Sequence, residues 1–239
     1  MIDGFEGRAC SGGMALARAV RLEPDCLKEI IGEGVLWAAQ ADRETLGTGI
    51  DHIDRALRGG LSTGVLCEFV ASSPSSGGQT LLLHLLEAMR RERRFAALVD
   101  GANAFDPQTT PSVLLEHLLW VRCESVGQAL QVADVLLRDE NLGMVLVDLR
   151  DCDAWALRRI PASDWYRLQR LAGKSNMVLA IFTPRSMIPS AQIRLALTGT
   201  LSVSQSDMAL GEVAKGLECE VFRLRKQETG EFSKMIQAG

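Results

Sequence analysis

Residues Gly59–Thr80 read GGLSTGVLCEFVASSPSSGGQT. An apolar, β-branched run, Val65–Ala71, leads into a loop of small residues, and a leucine-rich run follows from Leu81 to Leu86. Strand, tight loop and helix in that order are the layout of a phosphate-binding loop, G-x-x-x-x-G-K-[ST]. The matching window is Ser73-Pro-Ser-Ser-Gly77-Gly78-Gln79-Thr80, so the second glycine (Gly78) and the threonine are present. Ser73 stands at the first glycine and gives up the freedom to adopt positive φ. Gly77 and Gly78 still let backbone N–H groups crowd an anion at a helix's positive end. Gln79 stands at the lysine, and a neutral amide does not supply the charge that lysine brings to the β- and γ-phosphates. The expectation is a strand-to-helix turn that keeps the shape of a phosphate loop without tight binding of ATP or Mg2+.

Outward from this stretch, the chain alternates. Phe95–Asp100 is a second buried strand, Leu118–Arg122 a short one, and Met144–Leu149 another that ends in acid at Asp148. Asn176–Phe182 is the next. Between them lie helical patterns from Thr80 to about Arg91, from Val113 to His117, from a Ser125 cap to about Leu137, and from Ile160 to Leu171 with a Ser or Asp start at Ser163-Asp164. Such alternation predicts right-handed βαβ units and a parallel sheet. The tail changes character. Gly199–Ser204, Leu217–Arg225 and Glu231–Ile236 read as strands separated by turns, which predicts a mixed or antiparallel edge.

At 239 residues the chain has the size of one α/β domain with a small appendage. Residues 1–44 form the expected N-terminal extension and residues 45–239 the core. The net charge of −4 gives no global basic field for nucleic acid, which leaves only a local patch for such binding. The six cysteines show no C-x-x-C pair or zinc spacing, and several sit in apolar runs. They read as reduced core thiols in a cytoplasmic protein. No signal peptide and no apolar stretch of membrane-spanning length is visible, so no membrane partner is expected.

Taken together, these segments resemble the RecA family of recombinases over about residues 45–235. Thr48-Gly-Ile-Asp51-His-Ile-Asp54-Arg-Ala-Leu57 looks like the segment before that family's Walker A strand. Leu98-Val-Asp100-Gly-Ala102-Asn-Ala-Phe-Asp106-Pro107 is similar to its strand and loop bearing the catalytic glutamate, and Met144-Val-Leu-Val-Asp148 resembles Walker B. Ser175-Asn-Met-Val-Leu-Ala-Ile-Phe182 resembles the strand leading to its nucleotide-sensing glutamine. The resemblance implies an α/β, RecA-like P-loop NTPase core with a mostly parallel central sheet flanked by helices.

The departures point one way. The glutamate position is Ala102, the glutamine falls near Thr183-Pro184, and Gln108-Thr109-Thr110 stands where an adenine-stacking tyrosine is expected. The chain therefore reads as a pseudo-ATPase with no catalytic residues. Val35-Leu-Trp37, the altered loop, and Trp165-Tyr-Arg167-Leu-Gln169-Arg-Leu-Ala172 are similar to degenerate ImuA-type members. That likeness implies an accessory role in DNA repair, specifically damage-induced (SOS) mutagenesis by translesion synthesis. The implied partners are a catalytically inactive Y-family-like polymerase (ImuB) and an error-prone replicative-type polymerase. A weak DNA-dependent ATPase or recombinase, and a cell-division regulator on the same core, are the alternatives.

Two surfaces are candidates for partners. Arg158, Arg159, Arg167, Arg170 and Lys174, interleaved with Trp155, Trp165 and Tyr166, surround the place of the family's first DNA-binding loop. Basic and aromatic side chains together can grip single-stranded DNA; a solvated helix with Trp165 in the core is the other reading. Arg185–Thr200, with Arg185 and Arg194, takes the place of the second loop. Trp37, on the extension, is a candidate anchor on another RecA-like protomer or partner. Arg90–Arg94 reads as a helix C-terminus whose cations face the negative dipole end. His52, His84 and His117 make no metal or triad pattern, and no metal site is expected.

Overall fold

In the computed structural model, the structure describes residues 44–139, 141–202 and 209–224. Trp37, Cys10, Cys26 and the expected Glu231–Ile236 strand lie outside the described residues.

Nine strands, seven α-helices and one 3-10 helix are formed among the described residues. A two-stranded antiparallel ribbon, β1 (Thr45–Leu46) with β2 (Leu61–Ser62), brackets helix α1 (Asp51–Ala56). Asp54 folds back to take the Thr48 N–H and hydroxyl, each at 2.7 Å, and so fixes the entry to α1. Next come β3 (Leu66–Ala71), α2 (Gly78–Arg91), β4 (Phe95–Asp100), α3 (Ser112–Leu115), β5 (Leu118–Arg122) and α4 (Val126–Leu136). They are followed by β6 (Leu142–Asp148), α5 (Ala154–Arg158), α6 (Ala162–Lys174), β7 (Val178–Thr183), β8 (Ile193–Leu197), α7 (Leu210–Lys215) and β9 (Cys219–Leu224).

The main sheet has seven strands in the order β5-β4-β6-β7-β3-β8-β9. All neighbours run parallel except β8 and β9, which pair antiparallel with Leu197 opposite Cys219. The expected α/β architecture with a mixed C-terminal edge is therefore the one observed. Strand alternation sends the side chains to two cores. Cys67, Phe69, Leu98, Leu146, Ala180 and Leu195 join α1, α2, α3 and α7. Leu66, Val99, Val147 and Ile181 join α4, α5 and α6, with Trp165 of α6 fully buried there. Helices on both faces explain why β3, β6 and β7 are apolar along nearly their whole length.

Three expectations are corrected. The stretch Arg185–Thr200 is not an open loop, because Ile193–Leu197 forms β8 beside β3 in the interior of the sheet. Its period-two pattern, Ile-Arg-Leu-Ala-Leu, puts Ile193, Leu195 and Leu197 into one core. Residues 199–202 lie outside any strand; Leu201 N–H instead donates to Ser75 O at 2.8 Å. Lastly, α6 starts behind Pro161 without a side-chain cap, in place of the expected Ser or Asp start. The Ser125 cap is present, with its Oγ accepting from Gln128 N–H at 3.2 Å. No described helix is long and apolar enough to cross a membrane.

Candidate functional site: a phosphate-loop turn filled from within

The loop after β3 turns through a 3-10 helix at Pro74–Ser76, locked by the Ser76 hydroxyl donating to Ser73 O at 2.7 Å. Gly77 follows at φ +90, a conformation that favours glycine, and α2 opens at Gly78. A side chain at Gly77 is excluded on a second ground, since its Cβ would fall 2.0 Å from Leu217 Cδ1. Leu217, just after α7, thus lies directly against the turn, while Thr80 is buried and Gln79 half-buried in the first turn of α2. The strand-to-helix shape is as the sequence implied.

Asp148 ends β6 beside this turn and is buried. It faces Arg150, two residues on. The guanidinium forks onto the carboxylate, with Nε donating to Oδ1 at 2.9 Å and Nη2 to Oδ2 at 2.5 Å. The Arg150 backbone N–H adds a third bond to Oδ1 at 3.1 Å. Nη2 also donates to Gln79 Oε1 at 3.2 Å. Nη1 lies where a Cβ on Gly78 would be 2.5 Å away, so the guanidinium rests on the backbone of the turn itself. The guanidinium also lies over the ring of Phe182, 5.2 Å from centroid to Cζ. Burial works against the Arg150 charge, but the hydrogen bonds and charge of Asp148, with Asp151 and Asp100 adding, outweigh it and raise its pKa.

This donor set does not fit an ATP–Mg2+ group. Both Asp148 oxygens are taken by a cation that belongs to the chain, and the space a side chain on Gly78 would fill is occupied by that cation. Leu217 covers Gly77. A metal brought to Asp148 would meet the guanidinium's positive charge at contact distance.

The remaining positions carry structural bonds. Asp100, at the end of β4, accepts from Ala104 and Phe105 N–H at 3.0 and 2.9 Å and from Trp120 Nε1 at 3.3 Å. Ala102 is exposed on the bend that follows, where no carboxylate is available. Thr183 is buried and donates to Glu68 at 3.2 Å. Glu68, fully buried on β3, also takes Met187 N–H at 2.7 Å, Ile188 N–H at 3.0 Å and Arg194 Nε at 2.5 Å. Arg194 therefore faces inward on β8, and the Met187–Ile188 backbone is pinned to the sheet, unlike the second binding loop expected from the sequence. Arg185 stays exposed at its start.

The basic and aromatic set divides. Trp165 is a core residue, 1% exposed. Trp155 is 64% exposed, and Arg159 stacks on it at 4.3 Å; Arg158 is exposed beside them. Tyr166, Arg170 and Lys174 are exposed along α6. Arg167, though exposed, is committed to Asp134 of α4 through bonds of 2.8 and 2.9 Å. At the C-terminus of α2, Arg90 pairs with Glu87 at 2.7 Å, in keeping with a helix-end role. Among the described residues no group of His, Cys, Asp or Glu is arranged to hold a metal.

Sequence reading missed Arg150. The signal was present: Asp148-Leu-Arg150 sets a cation two residues past a strand-end acid whose usual counter-charge, the loop lysine, is gone.

The RecA N-terminal domain family model matches residues 29–153, which span the loop, Asp148 and Arg150. Protein RecA of Synechococcus elongatus is 32% identical over 137 residues, covering 55% of this chain and 38% of that protein. Protein RecA of Chlorobium limicola is 32% identical over 142 residues, covering 56% and 40%. For Prochlorococcus marinus (strain NATL1A) the figures are 37% over 107 residues, covering 44% and 28%. The chain thus matches two fifths or less of the length of these relatives. Since the family model covers just over half of its residues, the chain belongs to the RecA N-terminal domain family.

Proposed function

We propose that this protein is a RecA-like core that has given up ATP hydrolysis and serves as a DNA-repair accessory scaffold, in damage-induced mutagenesis through translesion synthesis. The observation that carries the reading is the Arg150 guanidinium lying on Gly78 and forked onto Asp148. In this arrangement the chain neutralises its own Walker B-like acid, and the loop needs no ligand to be ordered. The exposed Ala102 adds that no carboxylate is available to orient water. Its partners in this reading are translesion polymerase proteins, an ImuB-like one and an error-prone replicative-type one, with single-stranded DNA at the Trp155–Arg159 surface.

ATP turnover by the purified protein, measured with and without single-stranded DNA, tests the reading. The expected result is no turnover above background in either condition. Robust DNA-stimulated turnover that disappears in Asp148→Ala would overturn it and favour a weak DNA-dependent ATPase.

A further inference from the structure

We propose that Arg150 and Gln79 exclude nucleotide as a coupled pair, Arg150 by occupying the site and Gln79 by withholding the loop cation, so that restoring the loop lysine alone does not restore binding. This rests on the reading that the loop binds no nucleotide, and it assigns the cause.

Each nitrogen of the guanidinium has a place. Nε and Nη2 take the two oxygens of Asp148, Nη2 reaches Gln79 Oε1, and Nη1 sits over Gly78. A planar fork bound at two points and in contact with both the Phe182 ring and the turn is held rigidly. The Arg150 side chain is 14% exposed and that of Asp148 6%, so the pair is shielded from water and its charges are weakly screened. Gln79 suits this arrangement because its amide oxygen accepts from the guanidinium. A lysine at the same position would aim a second cation at a buried first one. The loss at position 79 and the cation at position 150 therefore suit each other, and each alone blocks a Mg2+-nucleotide. With Arg150 in place, Asp148 and the Gly78 face are occupied. With Arg150 removed but Gln79 kept, the acid is free and the phosphates lack their cation.

The experiment is equilibrium binding of a fluorescent ATP analogue with Mg2+, together with thermal melts with and without Mg-ATP. It uses the full chain, Gln79→Lys, Arg150→Ala, Arg150→Gln and the two double variants. The native chain and Gln79→Lys should show no saturable binding and no ligand-dependent melting shift. Gln79→Lys/Arg150→Ala should bind at least tenfold more tightly than either single variant. Arg150→Gln leaves an amide to hydrogen-bond Asp148 and decides the matter if Arg150→Ala does not fold. Binding by Gln79→Lys equal to that of the doubles would overturn the role of Arg150 and leave the native reading standing. Saturable binding by the native chain would instead overturn the reading of the loop itself. Either double variant folding, as shown by a cooperative melt, without saturable binding would overturn the blocking role and leave Arg150 a structural prop only.

Discussion

Replacing Arg194 with methionine tests the inner architecture most sharply. The side chain of Glu68 is 0% exposed and that of Arg194 18% exposed, so the substitution strands a carboxylate in the interior with apolar volume in place of its cation. Removing one partner of a buried ion pair costs about 3–5 kcal/mol. Here Glu68 Oε1 keeps three donors, Thr183 Oγ1, Met187 N and Ile188 N, and only Oε2 loses its partner. That places the expected loss near the lower end, about 3 kcal/mol. At ~2–4 °C per kcal/mol for a chain of this size, the melting temperature should fall by about 6–12 °C. Urea denaturation of Arg194→Met, Glu68→Gln and the double variant forms a cycle. A coupling of about 1–3 kcal/mol is expected, because the double variant removes both charges and recovers part of the loss. Arg194 Nη2 also holds Ile188 O at 2.6 Å, so limited proteolysis should cut first within residues 184–192. A loss below about 1 kcal/mol with unchanged m-value, or no coupling, would refute the reasoning.

Two further outcomes are expected. The Cys123 and Cys152 thiols are pushed up to about 11 and about 12, in each case first by burial and then by neighbouring carboxylates. The folded protein thus keeps protons that the unfolded chain releases above pH 9.0, so their stabilising contribution is complete below that pH and is lost as pH rises toward 11–12. Alkylation of the native protein at pH 8 should leave both unmodified until denaturant is added; rapid modification of Cys123 without unfolding would contradict this. In single-stranded DNA binding at low salt, Trp155→Ala should cost about 1–3 kcal/mol through lost stacking, while Arg167→Ala, already paired with Asp134, should change affinity little. The reverse order of effects would move the binding surface from the tip of α5 to the face of α6.

The sequence announced those parts of the fold whose causes are local. Phe95–Asp100 and Leu118–Arg122 are strands to the residue, because each is a short, largely apolar run set between helical patterns. Ser125 caps a helix because its hydroxyl needs only the next turn. The strand Ile193–Leu197 was hidden for a different reason. Its alternating pattern is short, and its partner β3 lies more than a hundred residues earlier. The inward turn of Arg194 follows from Glu68, equally distant in sequence. At the candidate site, the altered loop was legible one residue at a time, as missing lysine and missing glutamate. What filled the space was not, since the Gln79–Arg150 bond spans 71 positions and exists only once β3 and β6 are brought into one sheet.

The position of β3 near the middle of the sheet also sets an order of events during synthesis. Among the described residues Leu66–Ala71 is the first long strand to emerge, yet its neighbours are β7 and β8, with Leu66 opposite Leu179 and Cys67 opposite Ile193. At ribosomal speeds of ~5–20 residues per second, the nascent strand waits on the order of ten seconds for either edge to be covered. Meanwhile β4, β5 and β6 can pair among themselves, so the growing chain holds a three-stranded sheet with an open flank and an apolar strand tethered beside it. Closing the sheet around a late-arriving partner is slow, non-local folding. During that interval the apolar strand and the open sheet flank are the surfaces most prone to aggregation.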